Sequence, residues 1–137
     1  MTDPFQIRDI DHVVLRVRDL ERMIDFYCRV LGCTVEWRRP DIGLVHLRAG
    51  SSLIDLVPGD GELGRRGGPA AGKLGRNLDH ICLRIHPFDV EQIAAHLRSH
   101  GVEVGEIRER FGAQGDGVSI YLSDPEENGV ELRAAKL

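Results

Sequence analysis

The chain has 137 residues, 42% hydrophobic and 29% charged, with 18 basic and 22 acidic side chains and a formal net charge of −4. That length suits one globular domain, and the mild acidity removes the electrostatic basis for binding nucleic acid or an anionic membrane. No run of 18 apolar residues exists to cross a membrane, and the N-terminus lacks the apolar core of a secretory signal. Three cysteines, Cys28, Cys33 and Cys82, form no Cys-x-x-Cys pair, so a cytoplasmic chain without disulfides is expected.

The first predicted element is a strand at Ile10–Val17, and its sequence recurs. Ile10-Asp11-His12-Val13-Val14-Leu15-Arg16-Val17 matches Leu78-Asp79-His80-Ile81-Cys82-Leu83-Arg84-Ile85 at an offset of 68 residues. Four of the eight positions are identical, and both segments alternate in the manner of strands. After the first strand, Leu20, Met23, Ile24, Tyr27 and Val30 fall at helical spacing, opened by Asp19 as N-cap and closed by Gly32. Three short strands are then predicted at about 33–38, 44–48 and 52–57.

The stretch 58–77 holds seven of the 16 glycines and no apolar periodicity, which predicts a linker or flap. The second strand, about 78–85, leads into a helix with Val90, Ile93, Ala94 and Leu97 on one face. Asp89 and Gln92 have capping-box spacing, Phe88 can staple onto Ile93, and Gly101 ends the helix. Strands follow at about 102–108, 118–122 and 129–133. The order is βαβββ twice: module one about 10–57, linker 58–77, module two about 78–134, within one domain spanning 1–137. The predicted class is α+β, an open, curled mixed sheet with the helices outside.

Strand parity then singles out four residues. Side chains at i and i+2 share a face. With Val13, Leu15 and Val17 beneath the helix, His12, Val14 and Arg16 point into the concavity, and His80, Cys82 and Arg84 do the same in module two. Asp55 and Glu131 lie among apolar residues whose parity sends Ile54, Leu56, Val130 and Leu132 to the helices and the two acids inward. Each module thus delivers one His and one carboxylate, and pseudo-twofold symmetry would bring the four to one point. Imidazole nitrogen and carboxylate oxygen suit Zn, Ni, Co, Mn or Fe. A lone strand His or a lone acid is more often structural; four at repeat-equivalent places favour a metal.

These residues resemble the vicinal oxygen chelate superfamily, also called the glyoxalase/bleomycin-resistance/dioxygenase superfamily, over nearly the whole chain. The segment from His12 to Gly32 is similar to the opening of bacterial glyoxalase I. The resemblance implies a divalent metal on His12, Asp55, His80 and Glu131, with Arg16 contacting a substrate carboxylate and a homodimer as the assembly. Modules pair within one chain in some relatives and between two chains in others. Asp55 is one methylene shorter than the glutamate usual in glyoxalase I, and Gly59 replaces a glutathione-binding Asn. The segment from Phe111 to Pro125 looks more like a glyoxalase-domain group of unassigned activity.

The resemblance implies a metal-dependent lyase or isomerase acting through an enediolate-type intermediate. Glu131 and Asp55 are its candidate acid–base groups, and its expected substrate is a small molecule of anionic or thiol-conjugate type. Arg16 and Arg84 are candidate anion binders by their parity. One alternative is an Fe(II) extradiol dioxygenase; a carboxylate ligand at Asp55 would occupy a position its substrate needs, and no additional acid–base His is evident from sequence. Another is an antibiotic resistance protein working by thiol transfer or sequestration.

Other signals are weaker. Gly67–Leu74 nearly spells a P-loop but lacks the Ser or Thr after Lys73. Arg65, Arg66, Lys73 and Arg76 read as a solvated linker, or as steering for an anionic substrate. His86 lies too far from His80 to join a metal, and His96 and His100 read as surface residues. His46 is undecided, Cys82 reads as a buried small residue, and Trp37 and Tyr121 as cleft or core.

Overall fold

The computed structural model describes residues 4–137; residues 1–3, the start of the stretch read above for a signal, lie outside it. Module one runs β1 (His12–Val17), α1 (Leu20–Asp25), β2 (Thr34–Arg39), β3 (Leu44–Ala49) and β4 (Ser52–Pro58). Module two runs β5 (His80–Ile85), α2 (Val90–Ser99), β6 (Ile107–Gly112), β7 (Gly115–Ser123) and β8 (Gly129–Ala134). Each module is its own four-stranded sheet, β1-β4-β3-β2 and β5-β8-β7-β6. In each, the first and last strands pair in parallel and the others antiparallel, so both sheets are mixed and open. No helix among the described residues is long and apolar enough to cross a membrane.

The caps act as their sequences predict. The Asp19 carboxylate accepts from the Arg22 amide and the Asp89 carboxylate from the Gln92 amide, each filling an orphan donor of the first turn. Gly32 and Gly101 sit at φ +85° and +72°, where an L side chain is strained. The first helix departs from expectation: α1 widens into a π-helical turn over Phe26–Val30.

One strand is displaced from its predicted place. Val102 and Val104 alternate like a strand but pack as partly buried extended chain against the core. The ladder with β7 begins only at Ile107 and runs through the charged Arg108, Glu109 and Arg110. Hairpin register, not apolar alternation, sets β6.

The core lies on the helical side of both sheets. Leu15, Val17, Ile54, Leu56, Val130 and Leu132 are all at most 4% exposed and join Met23, Tyr27 and Leu97 in one cluster. The modules meet through these helical sides. His96 Nε2 donates to the Val30 carbonyl at 2.7 Å, and the Tyr27 hydroxyl donates to Asp124 at 2.7 Å. The Glu126 carboxylate accepts from the Arg18 and Asp19 amides at the start of α1. The opposite face of each sheet is left open.

Candidate functional site

The open faces carry the four residues singled out by parity. Leu15 and Val17 are buried while His12 and Val14 are exposed. Asp55 and Glu131 also face the open side, each 4% exposed because cross-strand neighbours cover them. The expected convergence does not occur within one chain. Among the described residues no three His, Cys, Asp or Glu side chains are placed to share an ion. With the modules joined by their helical sides, one chain keeps the four apart in two pairs, His12 with Asp55 on one open face and His80 with Glu131 on the other.

In the second half-site His80 Nε2 lies 3.2 Å from Glu131 Oε1. The Ser119 hydroxyl donates to Glu131 Oε2 at 2.5 Å and the Tyr121 hydroxyl to Oε1 at 2.8 Å. Burial alone would raise the Glu131 carboxyl. The bonds from Ser119, Tyr121 and Cys82 and the nearby His80 outweigh it, so the group is held below its ordinary value. Burial and the Glu131 charge push the Cys82 thiol up to about 11, and Cys82 is exposed rather than the buried residue expected. Arg133, 5% exposed, donates to the carbonyls of Arg110 and Gly115 and lies 3.8 Å from Glu131. A cleft of about 740 Å³ opens beside His80 and Tyr121, with Arg22, Arg76 and Glu103 in its walls.

In the first half-site His46 Nδ1 lies 2.9 Å from Asp55 Oδ1. The two are direct cross-strand partners on β3 and β4. Trp37 stacks on His46 with ring centroids 5.9 Å apart, and the Arg39 guanidinium lies 4.3 Å from the Trp37 ring centre. His12 is raised above its ordinary value by the hydrogen bond it donates to Asp11, with the Asp55 charge adding to the effect.

The same small motif supports both metal-candidate histidines. Asp11 holds His12 Nδ1 at 2.8 Å, and Asp79 holds His80 Nδ1 at 2.6 Å. A carboxylate on one ring nitrogen leaves the other as a donor and fixes the ring, the usual support for a metal-bound imidazole. With the Glu131 carboxylate beside Nε2, this donor chemistry fits a divalent ion such as Zn, Mn or Fe. The signal was in the repeat, since Asp precedes His in both copies.

Other candidates fall elsewhere. The Arg16 guanidinium donates to the linker carbonyls of Gly64, Gly68 and Pro69 at 3.1, 2.5 and 2.9 Å. A Cβ on Gly67 would land on that guanidinium, and Arg16 Nε is buried without a partner. The linker thus takes up the group that the resemblance assigns to a substrate carboxylate. Arg84 is exposed and borders a separate cavity with Ile93 and His96 of α2. His100 accepts from Arg29 at 2.6 Å on the helical side. His46, Ser119 and Tyr121 are the site residues the sequence did not resolve. Each lies across a hairpin from its acid, which made them visible only once register was known.

A sequence profile of the Glyoxalase/Bleomycin resistance protein/Dioxygenase superfamily matches residues 9–132. The glyoxalase domain-containing protein RDO1 of Mycosarcoma maydis is 32% identical over 128 residues, 92% of this chain and 68% of that protein. The virulence protein STM3117 of Salmonella typhimurium is 30% identical over 90% of this chain and 81% of its own. Its crystal structure superposes with a TM-score of 0.77 at 27% identity, covering 96% of this chain and all of that one. The catechol-2,3-dioxygenase of Bacillus subtilis is 29% identical over 98% of this chain, which spans 44% of that enzyme.

Proposed function

The chain belongs to the Glyoxalase/Bleomycin resistance protein/Dioxygenase superfamily, and we propose that within it the protein is a divalent-metal-dependent lyase or isomerase of glyoxalase type acting on a small oxygen-bearing substrate. The observation that carries this reading is the Asp79–His80–Glu131 arrangement, with its Asp11–His12 counterpart on the other module. His12, His80 and Glu131 would hold the ion, which when bound supplies Lewis acidity toward a substrate oxygen. Glu131, kept anionic by two hydroxyl donors, pairs with that ion and neighbours the reacting carbon. The cleft beside His80, with Arg22, Arg29 and Arg76 set among Asp25, Asp79, Glu103 and Asp124 in its walls, offers both hydrogen-bond donors and acceptors to a small polar substrate.

Because one chain separates the half-sites, the working unit is a homodimer in which His12 of one copy meets His80 and Glu131 of the other. Mixing His12→Ala and His80→Ala variants tests this. Each variant alone should bind little Zn(II) or Co(II), and after subunit exchange the mixture should regain one complete site per heterodimer, about a quarter of the wild-type content. A mixture that stays as empty as its parents overturns the shared site. The activity itself is tested by hemithioacetal isomerisation with Zn, Ni, Co or Mn. A metal-free wild type, or a His80→Ala variant indistinguishable from it, sinks the proposal.

A second reading, an Fe(II) extradiol dioxygenase, gains from one observation. Asp55 is hydrogen-bonded to His46. Two histidines and Glu131 would then leave coordination positions open for catechol and O₂. Oxygen consumption with catechol and Fe(II) separates it from the isomerase.

A further inference from the structure

We infer that Asp55 is the positioning residue of His46 rather than a donor to the metal, and that the His46 imidazole is the group that moves the substrate proton. The inference rests on the metal-centred isomerase reading above and names its proton carrier. Asp55 Oδ1 lies 2.9 Å from His46 Nδ1, with both residues largely buried. An ionised carboxylate can only accept, so Nδ1 carries the hydrogen and Nε2 keeps its lone pair. Trp37 stacks against the ring at an interplanar angle of 22° and fixes its plane.

Direct cross-strand pairing puts His46 on the same open face as Asp55, the face that also presents His12. Asp55 has the shorter side chain, and it lies at the floor of that face with 4% exposure, beneath a longer residue it already binds. A base held in one tautomer by a buried carboxylate is a recurring catalytic arrangement.

The step balances without a co-reactant. The C–H bond beside the substrate carbonyl breaks, and its electron pair forms a carbon–carbon double bond as the carbonyl π pair moves onto oxygen. The proton resides on His46 Nε2. Its delivery to the neighbouring carbon, the former carbonyl carbon, uses the double-bond pair, while the first carbon's hydroxyl gives its proton to the oxyanion and becomes the new carbonyl, which completes the isomerisation.

Cobalt binding separates the roles. Asp55→Asn and His46→Gln should bind Co(II) within about threefold of wild type and with the same visible spectrum. Glu131→Gln should lose at least 100-fold, the loss expected when a metal ligand is removed. With hemithioacetal, His46→Gln should lower kcat by at least 100-fold at unchanged KM and metal content, within the range of general-base contributions. In the ¹⁵N-labelled apo-protein the Nδ1–H resonance of His46, identified by its loss in His46→Gln, should also vanish or shift strongly in Asp55→Asn. Loss of Co(II) by Asp55→Asn equal to that of Glu131→Gln overturns the inference, as does a His46 resonance indifferent to Asp55. If wild type binds neither Co(II) nor Zn(II), the isomerase reading fails first and this one falls with it. Retained metal with an inert Asp55 overturns this one alone.

Discussion

The two half-sites are built on one plan and differ in what holds the acid. In module two, Glu131 receives the hydroxyls of Ser119 and Tyr121, one on each oxygen. In module one, Asp55 receives the His46 imidazole at the position equivalent to Tyr121. Neutral hydroxyls stabilise a carboxylate as an anion and leave it available to a cation. An imidazole turns the carboxylate into a support for a second functional group. The same strand register therefore yields a metal-facing carboxylate on one side and a histidine–aspartate pair on the other.

The two modules also use their inward arginines differently, and removing each tests that contrast. Arg133 is 5% exposed, fills the space over Gly112 and Gly117, and lies beside Glu131. Arg133→Met leaves Glu131 without its buried cation and two carbonyls without a donor. The expected cost is about 3–5 kcal/mol in urea unfolding, the range for breaking a buried charge pair. Arg16 is partly exposed, and its guanidinium binds linker carbonyls. Arg16→Met should cost about 1.5–3 kcal/mol, the range for hydrogen bonds to a charged group. Its clearer sign should be faster proteolysis within 64–69, at unchanged Co(II) affinity. Equal costs for both arginines, or a nick-resistant linker in Arg16→Met, would remove the distinction.

The hydroxyls on Glu131 give the second contrast a pH signature. The folded value lies below the ordinary 4.5, so Glu131 stabilises the fold above that value. The contribution is lost as pH falls through the lower folded value. Ser119→Ala removes one of the bonds that hold the group down and moves it back toward the ordinary value. The variant should be less stable than wild type by about 1.5–3 kcal/mol at pH 7. The gap should narrow as pH drops below 4.5, measured by urea unfolding across pH 3–7. A gap that is constant with pH would mean Ser119 contributes packing alone.

The legible and illegible parts of this site divide along strand register. Apolar alternation alone puts Leu15, Val17, Ile54, Leu56, Val130 and Leu132 on the buried side, and so turns His12, His80, Asp55 and Glu131 to the inward face. Nothing in a single strand tells which residue of the next strand stands opposite. His46 lies nine positions before Asp55 and Tyr121 ten before Glu131, across hairpins whose register depends on turn geometry. The same blindness misplaced β6, where Val102 and Val104 imitate a strand. Repeat symmetry also suggested that the four inward residues converge. It could not say that Tyr27, Asp124 and Glu126 join the modules through their helical sides, which leaves the open faces apart within one chain.

The smallest expected effect is optical, and it reads the first half-site by itself. Trp37 is the only tryptophan, and it stands 57% exposed on β2 between the His46 ring and the Arg39 guanidinium. Arg39→Gln removes a cation–π contact worth about 0.5–1 kcal/mol at an exposed site. It should shift Trp37 emission while leaving Co(II) affinity unchanged. His46→Gln should also shift the emission, because the stacked ring itself is replaced. If the working unit is a dimer whose half-sites meet across copies, Zn(II) should change Trp37 emission in wild type and in Asp55→Asn alike. Zn(II) should leave the emission unchanged in His80→Ala, although that residue lies in the other module and does not touch the indole. A Trp37 signal that follows Zn(II) in His80→Ala would place metal on the first half-site alone and sever the link between the two.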